Sequence, residues 1–196
     1  LRQFFMSTKE TIIQLADQLI RDKGYNAFSF YDIAKTLGIK NASIHYYFPS
    51  KTQLGIAVIK EQSRRFNVLK QAVADKHPKE QLRAFAHSYA ATRQEERICI
   101  VGSLASDLHT LDPEIGQCLA LFAQEVIDWL ETVLEQGKML GYFTFTVAAR
   151  TKAVLIITNL LGGLQLTRLT QQEDFYTIAE TIIQELSPVQ PKENNT

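Results

Sequence analysis

The sequence predicts an all-α chain in which an N-terminal three-helix unit, carrying a helix-turn-helix, is joined by a continuous helix to a larger helical body. Three observations predict it. Apolar residues recur at i, i+3, i+4 and i+7 along most of the chain and never alternate with period two for long. Residues 29–51 divide into two short helical patterns separated only by Gly38, Ile39 and Lys40, a spacing suited to a tight turn between helices. The formal net charge of zero is a cancellation: residues 1–70 hold 11 Lys and Arg against 5 Asp and Glu, and the remainder 10 against 16. The basic half is the half with the helix-turn-helix, as attraction to a polyanion requires. With 45% hydrophobic residues in 196, the chain has material for a sizeable core.

The elements follow in order. Ser7-Thr-Lys-Glu10 is a capping-box pattern, Ile12, Leu15, Ala16, Leu19 and Ile20 continue at helical spacing, and Gly24 ends the first helix. Ser29 opens the second with Asp32 as reciprocal acceptor; Phe30, Ile33, Ala34 and Leu37 form its buried stripe, and Gly38 stops it. Asn41 is expected to cap a third helix so short that packing of Ile39, Ile44 and Phe48 must hold it. Ser50 with Gln53 opens a long helix through Leu54, Val58, Phe66 and Leu69 to about Lys76. Neither Gly nor Pro interrupts residues 56–76, so this connection is stiff.

His77-Pro78 breaks that helix, and Pro78 begins one carrying Leu82, Phe85, Ala86 and Tyr89. Residues 98–111 suggest a shorter helix. Asp112-Pro113-Glu114 starts another, expected to stop at Gly137 with Gly141 in the loop. Thr146 opens a helix through Val154, Ile157, Leu161, Leu164 and Leu166, and residues 173–186 form the last. The expected division is a head of residues 1–52, a body of 53–187, and a polar, disordered tail of 188–196.

Several classes are excluded. Cys99 and Cys118 lie apart without Cys-x-x-Cys spacing, so neither a disulfide framework nor a metal site is expected, and no cofactor motif is present. That usage fits a reducing cytoplasm. The opening Leu-Arg-Gln-Phe-Phe is too short for a secretory signal, and no run is expected to reach the length of a membrane span. Ser103, Asp107 and His109 are the residue types of a hydrolytic triad, but no Gly-x-Ser-x-Gly elbow surrounds the serine. Ser103 and Asp107 would be neighbours on one short helix, whereas a triad converges from separate elements, so an enzyme is not expected.

The third helix leaves Lys40, Asn41, Ser43, His45, Tyr46 and Tyr47 outward, a row of donors and aromatics with no carboxylate. In a helix-turn-helix the N-terminal residues of the second helix enter the major groove, so Lys40 and Asn41 are assigned to base edges: lysine to guanine, asparagine to adenine. Ser43, His45, Tyr46 and Tyr47 are assigned to phosphates, and Lys51 joins them by its place at a helix N-terminus. One of the two tyrosines suits packing in the head equally well.

The stretch Leu-Gly-Ile-Lys-Asn-Ala-Ser-Ile-His-Tyr-Tyr-Phe-Pro-Ser-Lys, residues 37–51, resembles the signature of the TetR family of bacterial transcriptional regulators, and the likeness extends over about the first 60 residues. The resemblance also places Lys51 on phosphate. It implies a repressor released from operator DNA by a small, mainly apolar ligand. His45 stands where the family usually has tyrosine, and Asn41-Ala42 where a Lys-Gly pair is common, so base specificity does not carry over. The resemblance further implies an effector pocket within residues 78–170, for which Phe85, Tyr89, Cys99, Leu104, Phe122, Trp129 and Asn159 are candidates, each also a plausible core or structural residue. A single short recognition helix makes few base contacts, so a homodimer is expected. Leu161, Leu164, Ile178 and Ile182, beside Gly162 and Gly163, are the candidates for a four-helix interface. The competing reading is a protein of the same fold that acts through protein contacts and uses DNA as a nonspecific anchor.

Overall fold

A computed structural model describes residues 7–94, 98–170 and 175–187, with the side chains of 90–94 outside the description. The expected tail at 188–196 and the expected helix start at Glu173 lie outside the described residues. Among the described residues the regular elements are all helical: α1 (Thr8–Lys23), α2 (Phe30–Leu37), α3 (Asn41–Tyr47), α4 (Lys51–Ala72), α5 (Pro78–Gln94), α6 (Ile100–Ser106), α7 (Pro113–Met139), α8 (Ala149–Thr170) and α9 (Phe175–Leu186), with 3-10 turns at Tyr25–Ala27 and Leu108–Thr110. The chain divides into two units, one of residues 1–68 with 95–124 and the other of 69–94 with 125–196. Helices α4 and α7 supply residues to both.

The first unit is built on α1. Its capping box forms as the sequence predicts, with the Ser7 side chain accepting from Glu10 N and the Glu10 carboxylate accepting from Ser7 N at 2.8 Å. Ile12, Ala16 and Ile20 are fully buried and meet Ile33, Ile44, Leu54, Val58, Leu104 and Ile115 in one cluster. Each such aliphatic side chain contributes about 1.5–3 kcal/mol by leaving water. An ion pair closes this core: Arg21 Nε lies 2.8 Å from Asp17 Oδ1, and Arg21 also donates to the Ile98 carbonyl at 3.1 Å. Gln62 donates to the same Asp17 oxygen at 3.2 Å, so these buried charges have hydrogen-bond partners as burial demands.

The second unit packs α5, α8, α9 and the later turns of α7 around Leu82, Phe85, Leu130, Leu134, Ile156, Leu160, Phe175 and Ile183. Arg83 holds Glu180 through both carboxylate oxygens at 2.9 and 3.1 Å, and that hydrogen bonding keeps the Glu180 carboxyl below its ordinary pKa. Gly163 admits α9: a β-carbon there would sit 3.4 Å from Ile178, whereas one on Gly162 would meet nothing within 4 Å.

Several boundaries differ from the sequence expectation. Helix α7 continues through Gly137 to Met139, and the stop is Gly141, at φ 77°. Gly137 is needed for space: the Phe143 ring folds back onto it, and Tyr142 N and Phe143 N both donate to its carbonyl, at 2.8 and 3.1 Å. Helix α4 ends at Ala72 because the following turns tighten, with Lys76 N bonded to Val73 O at 3.0 Å. Helix α8 starts at Ala149, past Thr146.

One expectation is corrected outright. Helix α8, 22 residues long with a mean hydropathy of 1.3 over its most apolar stretch, is long and apolar enough by length and composition to cross a membrane. No uninterrupted apolar run marks this helix in the sequence, because Thr158, Asn159 and Gln165 break the run without lowering the average enough. Only 33% of that stretch is buried, so much of this apolar helix is uncovered.

The glycine at 137 gives a test. A β-carbon there would clash with the Phe143 ring, and Phe143 is itself buried. Gly137→Ala is expected to destabilise by about 1–3 kcal/mol through overpacking. In a Phe143→Ala background the same change should be neutral or stabilising, since alanine is favoured over glycine in a helix by about 1 kcal/mol. Thermal melts of the four proteins in that cycle measure both; a Gly137→Ala cost that persists without the Phe143 ring would refute this account.

Candidate nucleic-acid interface

The helix-turn-helix is set by three local devices. Ser29 caps α2: its side chain accepts from Asp32 N, and the Asp32 carboxylate accepts from Ser29 N at 2.7 Å. The Ser29 hydroxyl, followed by its backbone N–H, draws the Asp32 pKa below the ordinary carboxylate value. Gly38 ends the helix in the left-handed region, φ 65° and ψ 28°, with its N–H on the carbonyls of Ala34 and Lys35. A β-carbon at Gly38 would touch nothing, so backbone conformation selects the glycine there. The third device is burial, because Ile33 and Ile44 are fully enclosed and Phe48 nearly so.

The start of α3 differs from expectation. Lys40, extended at φ −73° and ψ 142°, is the cap residue, its carbonyl accepting from Ser43 N at 2.9 Å, and Asn41 is the first helical residue. The two residues after Gly38 suffice to reverse the chain, so the helix begins one position earlier than a capping asparagine would need. Asn41 is exposed, and its amide does not serve as the cap.

Around Ile44, Lys40, Asn41, Ala42, His45 and Tyr46 are exposed, and Ser43 and Tyr47 are half-buried. Tyr46 is 81% exposed, which makes Tyr47 the tyrosine that packs; the two rings meet edge to face at 5.1 Å. The His45 ring sits edge-on to Phe30 at 4.8 Å, tying the middle of α3 to the start of α2. Lys51 points elsewhere: its ammonium donates to the Phe28 carbonyl and lies over the Phe28 and Tyr25 rings. Tyr31, outside the residues assigned to DNA above, is 66% exposed on α2. Its signal was legible, since it falls off the buried stripe of Phe30, Ile33, Ala34 and Leu37.

The residues expected around an effector separate. Phe85, Tyr89 and Trp129 come together in the second unit, with Phe85 5.4 Å from Tyr89 and 5.7 Å from Trp129 between ring centroids. Asn159 is exposed on α8. Leu104 is completely buried in the core of the first unit, and Phe122 stands 6.3 Å from Phe66 there. Cys99 precedes α6, and burial pushes its thiol pKa up, away from the reactive thiolate. A depression of ≈ 350 Å³, lined by Glu135, Lys138, Met139, Phe145, Val147 and Ala148, contains none of the expected residues.

Among the interface candidates, Leu161, Ile178 and Ile182 are half-buried, while Leu164 is 1% exposed and sealed inside its own unit. The open apolar residues of α8 are Val154, Leu155, Leu166 and Leu169. The hydrolytic residue types are otherwise engaged: Ser103 Oγ donates to Ile20 O at 2.6 Å, and Asp107 accepts from Tyr25 N at 2.8 Å.

Comparison with known proteins agrees with this geometry. Residues 12–58 match the family model for bacterial regulatory proteins of the tetR family. A crystal structure of a TetR transcriptional regulator from Legionella pneumophila superposes with a TM-score of 0.85 at 34% identity, covering 94% of this chain and 100% of that one. An HTH-type transcriptional regulator in the lacX 3′ region of Lactococcus lactis subsp. lactis is 26% identical over 173 residues, 84% of this chain and 85% of that protein. The biofilm operon icaADBC negative transcriptional regulator IcaR of Staphylococcus aureus (strain Newman) is 44% identical over 46 residues, 24% of this chain and 25% of its own length. The likeness to the Legionella regulator runs the length of that protein, and the family model falls on the helices that form the helix-turn-helix. This chain belongs to the TetR family of bacterial transcriptional regulators and acts by binding DNA, not as an enzyme.

Proposed function

We propose that the protein is a homodimeric repressor that leaves its operator when a small, mainly apolar ligand binds. The observation that carries the DNA half is the outward row from Lys40 to Tyr47, which contains no carboxylate. Lys40 and Asn41 read base edges, and Ser43, His45, Tyr46 and Tyr47 fix the phosphates. The repressor sense draws support from IcaR, a negative regulator, whose match lies within this chain's length over 46 residues only.

The dimer reading rests on apolar surface left uncovered in one subunit. Val154, Leu155, Leu166 and Leu169 of α8 and Tyr176 of α9 are all exposed, and Gly162 leaves room for a close approach. Two-fold pairing through α8 and α9 buries that surface and offers two recognition helices to DNA. It also accounts for a helix apolar enough to suit a membrane, so the protein is read as cytoplasmic.

Phe85, Tyr89 and Trp129 are the core of the ligand reading, as ring faces favour a mainly apolar effector. Release requires that the ligand bind the conformation that does not hold DNA more tightly than the one that does, since equal affinity shifts nothing. Within the first unit the segment 98–112 is fastened to the helix-turn-helix side by Arg21 to Ile98 O, Ser103 to Ile20 O, Tyr25 N to Asp107, and Asn26 to Thr110 at 2.7 Å. Displacement of that segment therefore drags α1 and the chain entering α2.

Three outcomes are expected. Lys40→Ala and Asn41→Ala each relax preference at one base by about 1–3 kcal/mol, measured by binding across operator variants. An equal loss on every sequence would remove the base-contact assignment. Leu155→Glu combined with Leu166→Glu, both exposed in the single subunit, yields folded monomers by light scattering that lose operator binding; a persisting dimer would place the interface elsewhere. A ligand that lowers operator affinity also changes Trp129 fluorescence, and Phe85→Ala weakens both effects together. If the DNA effect survives with Trp129 emission unmoved, the effector site is not there.

A further inference from the structure

We propose that Lys51 is a positioning residue of the DNA-reading head, which pins the chain entering α2, and is not a phosphate contact. It is the first residue of α4, a place where a cation beside DNA would ordinarily be counted toward phosphate binding. Its ammonium instead turns inward. Nζ donates to the Phe28 carbonyl, stands 4.3 Å from the centroid of the Phe28 ring, and stands 4.7 Å from that of Tyr25. Both rings are buried, Phe28 at 5% exposed and Tyr25 at 6%, and they meet edge to face at 6.2 Å.

Sequence position gives this contact its effect. Phe28 immediately precedes Ser29, the cap of α2, so Lys51 grips the last carbonyl before the helix-turn-helix begins. The ammonium thereby joins the start of α4 to the start of α2, while Phe48 and Ile44 fix the other side of the turn. Attraction between a cation and the face of an aromatic ring strengthens when water is excluded. Burial lowers the Lys51 pKa, and the charges of Asp107 and Asp32 partly restore it. Both carboxylates have work of their own: Asp107 accepts from Tyr25 N, and Asp32 completes the Ser29 capping box. Swinging Lys51 out to a phosphate would break the carbonyl bond, uncover two ring faces and free the entry to α2. Lys40, exposed at the start of α3, bears none of these ties.

The proposal rests on DNA binding by this head, so wild-type binding to a random-sequence duplex of about three helical turns is the control. If the wild type fails to bind that duplex, the DNA reading fails and not the role of Lys51. In NMR spectra of the DNA-free protein the Lys51 Cε methylene protons should be shifted upfield of the other lysines by the two rings, and should remain there when the duplex is saturating. Lys51→Met should weaken binding about three- to tenfold at every salt concentration, the scale of one partly buried cation–ring contact. The slope of log affinity against log salt should stay unchanged. Return of the methylene resonance to the ordinary lysine position on adding DNA would overturn the proposal. So would a slope reduced by about 0.9 per subunit, the signature of one lost phosphate contact. Should Lys51→Met not fold, the wild-type spectra with and without DNA decide alone.

Discussion

Helices of 8 and 7 residues cannot sustain themselves in water, and this limit governs the DNA-reading surface. Nucleating a helix costs more than so few internal hydrogen bonds return, so α2 and α3 exist because Ile33, Ala34, Ile44 and Phe48 are buried in one apolar cluster with residues of α1 and α4, a cluster that α6 and the start of α7 also join. The core of the first unit thus joins residues as far apart in sequence as Ile12 and Leu119. A head bounded at residue 52 would lack Ile100, Leu104, Ile115 and Leu119, which close that core.

The polar contacts in the same unit follow the same logic. Side chains from residues 98–112 satisfy backbone groups exposed at the end of α1 and in the turn after it: Ser103 on Ile20 O, Asp107 on Tyr25 N. Tyr25 N is one of the donors that the end of a helix leaves without an intrahelical partner, whereas Ile20 O already accepts from Gly24 N at 2.9 Å and takes Ser103 as a second donor. Tyr25 is buried there, and that burial pushes its phenol pKa up to about 12. Beside these rings a lysine at a helix start becomes a brace, because the half-buried ammonium of Lys51 takes the nearest carbonyl and ring faces.

The second unit has the opposite character. Its aromatic residues meet internally, yet α8 keeps Leu166 and Leu169 open at 62% and 79% exposure. A third of its most apolar stretch is buried, and the uncovered apolar residues are those that the proposed two-fold pairing would cover. Gly162 and Gly163, adjacent in sequence, divide between the two demands: one admits α9 of the same chain, and the other faces open space.

Local rules made much of this protein legible. Both capping boxes, the left-handed Gly38, the period of the buried stripes and the carboxylate-free row on α3 depend on residues within a turn or two of one another, so the sequence alone determined an all-α chain with a helix-turn-helix of the TetR kind. Tertiary structure decided what depends on distant neighbours. Gly137 lies within a helix because Phe143 folds onto it, Leu104 belongs to the core that supports the helix-turn-helix, and Leu164 is enclosed while Leu166 is open. Lys51 turns inward because Phe28 and Tyr25 wait there. An apolar or basic side chain has the same local pattern whether it faces core, partner or solvent, and only the packed chain distinguishes them.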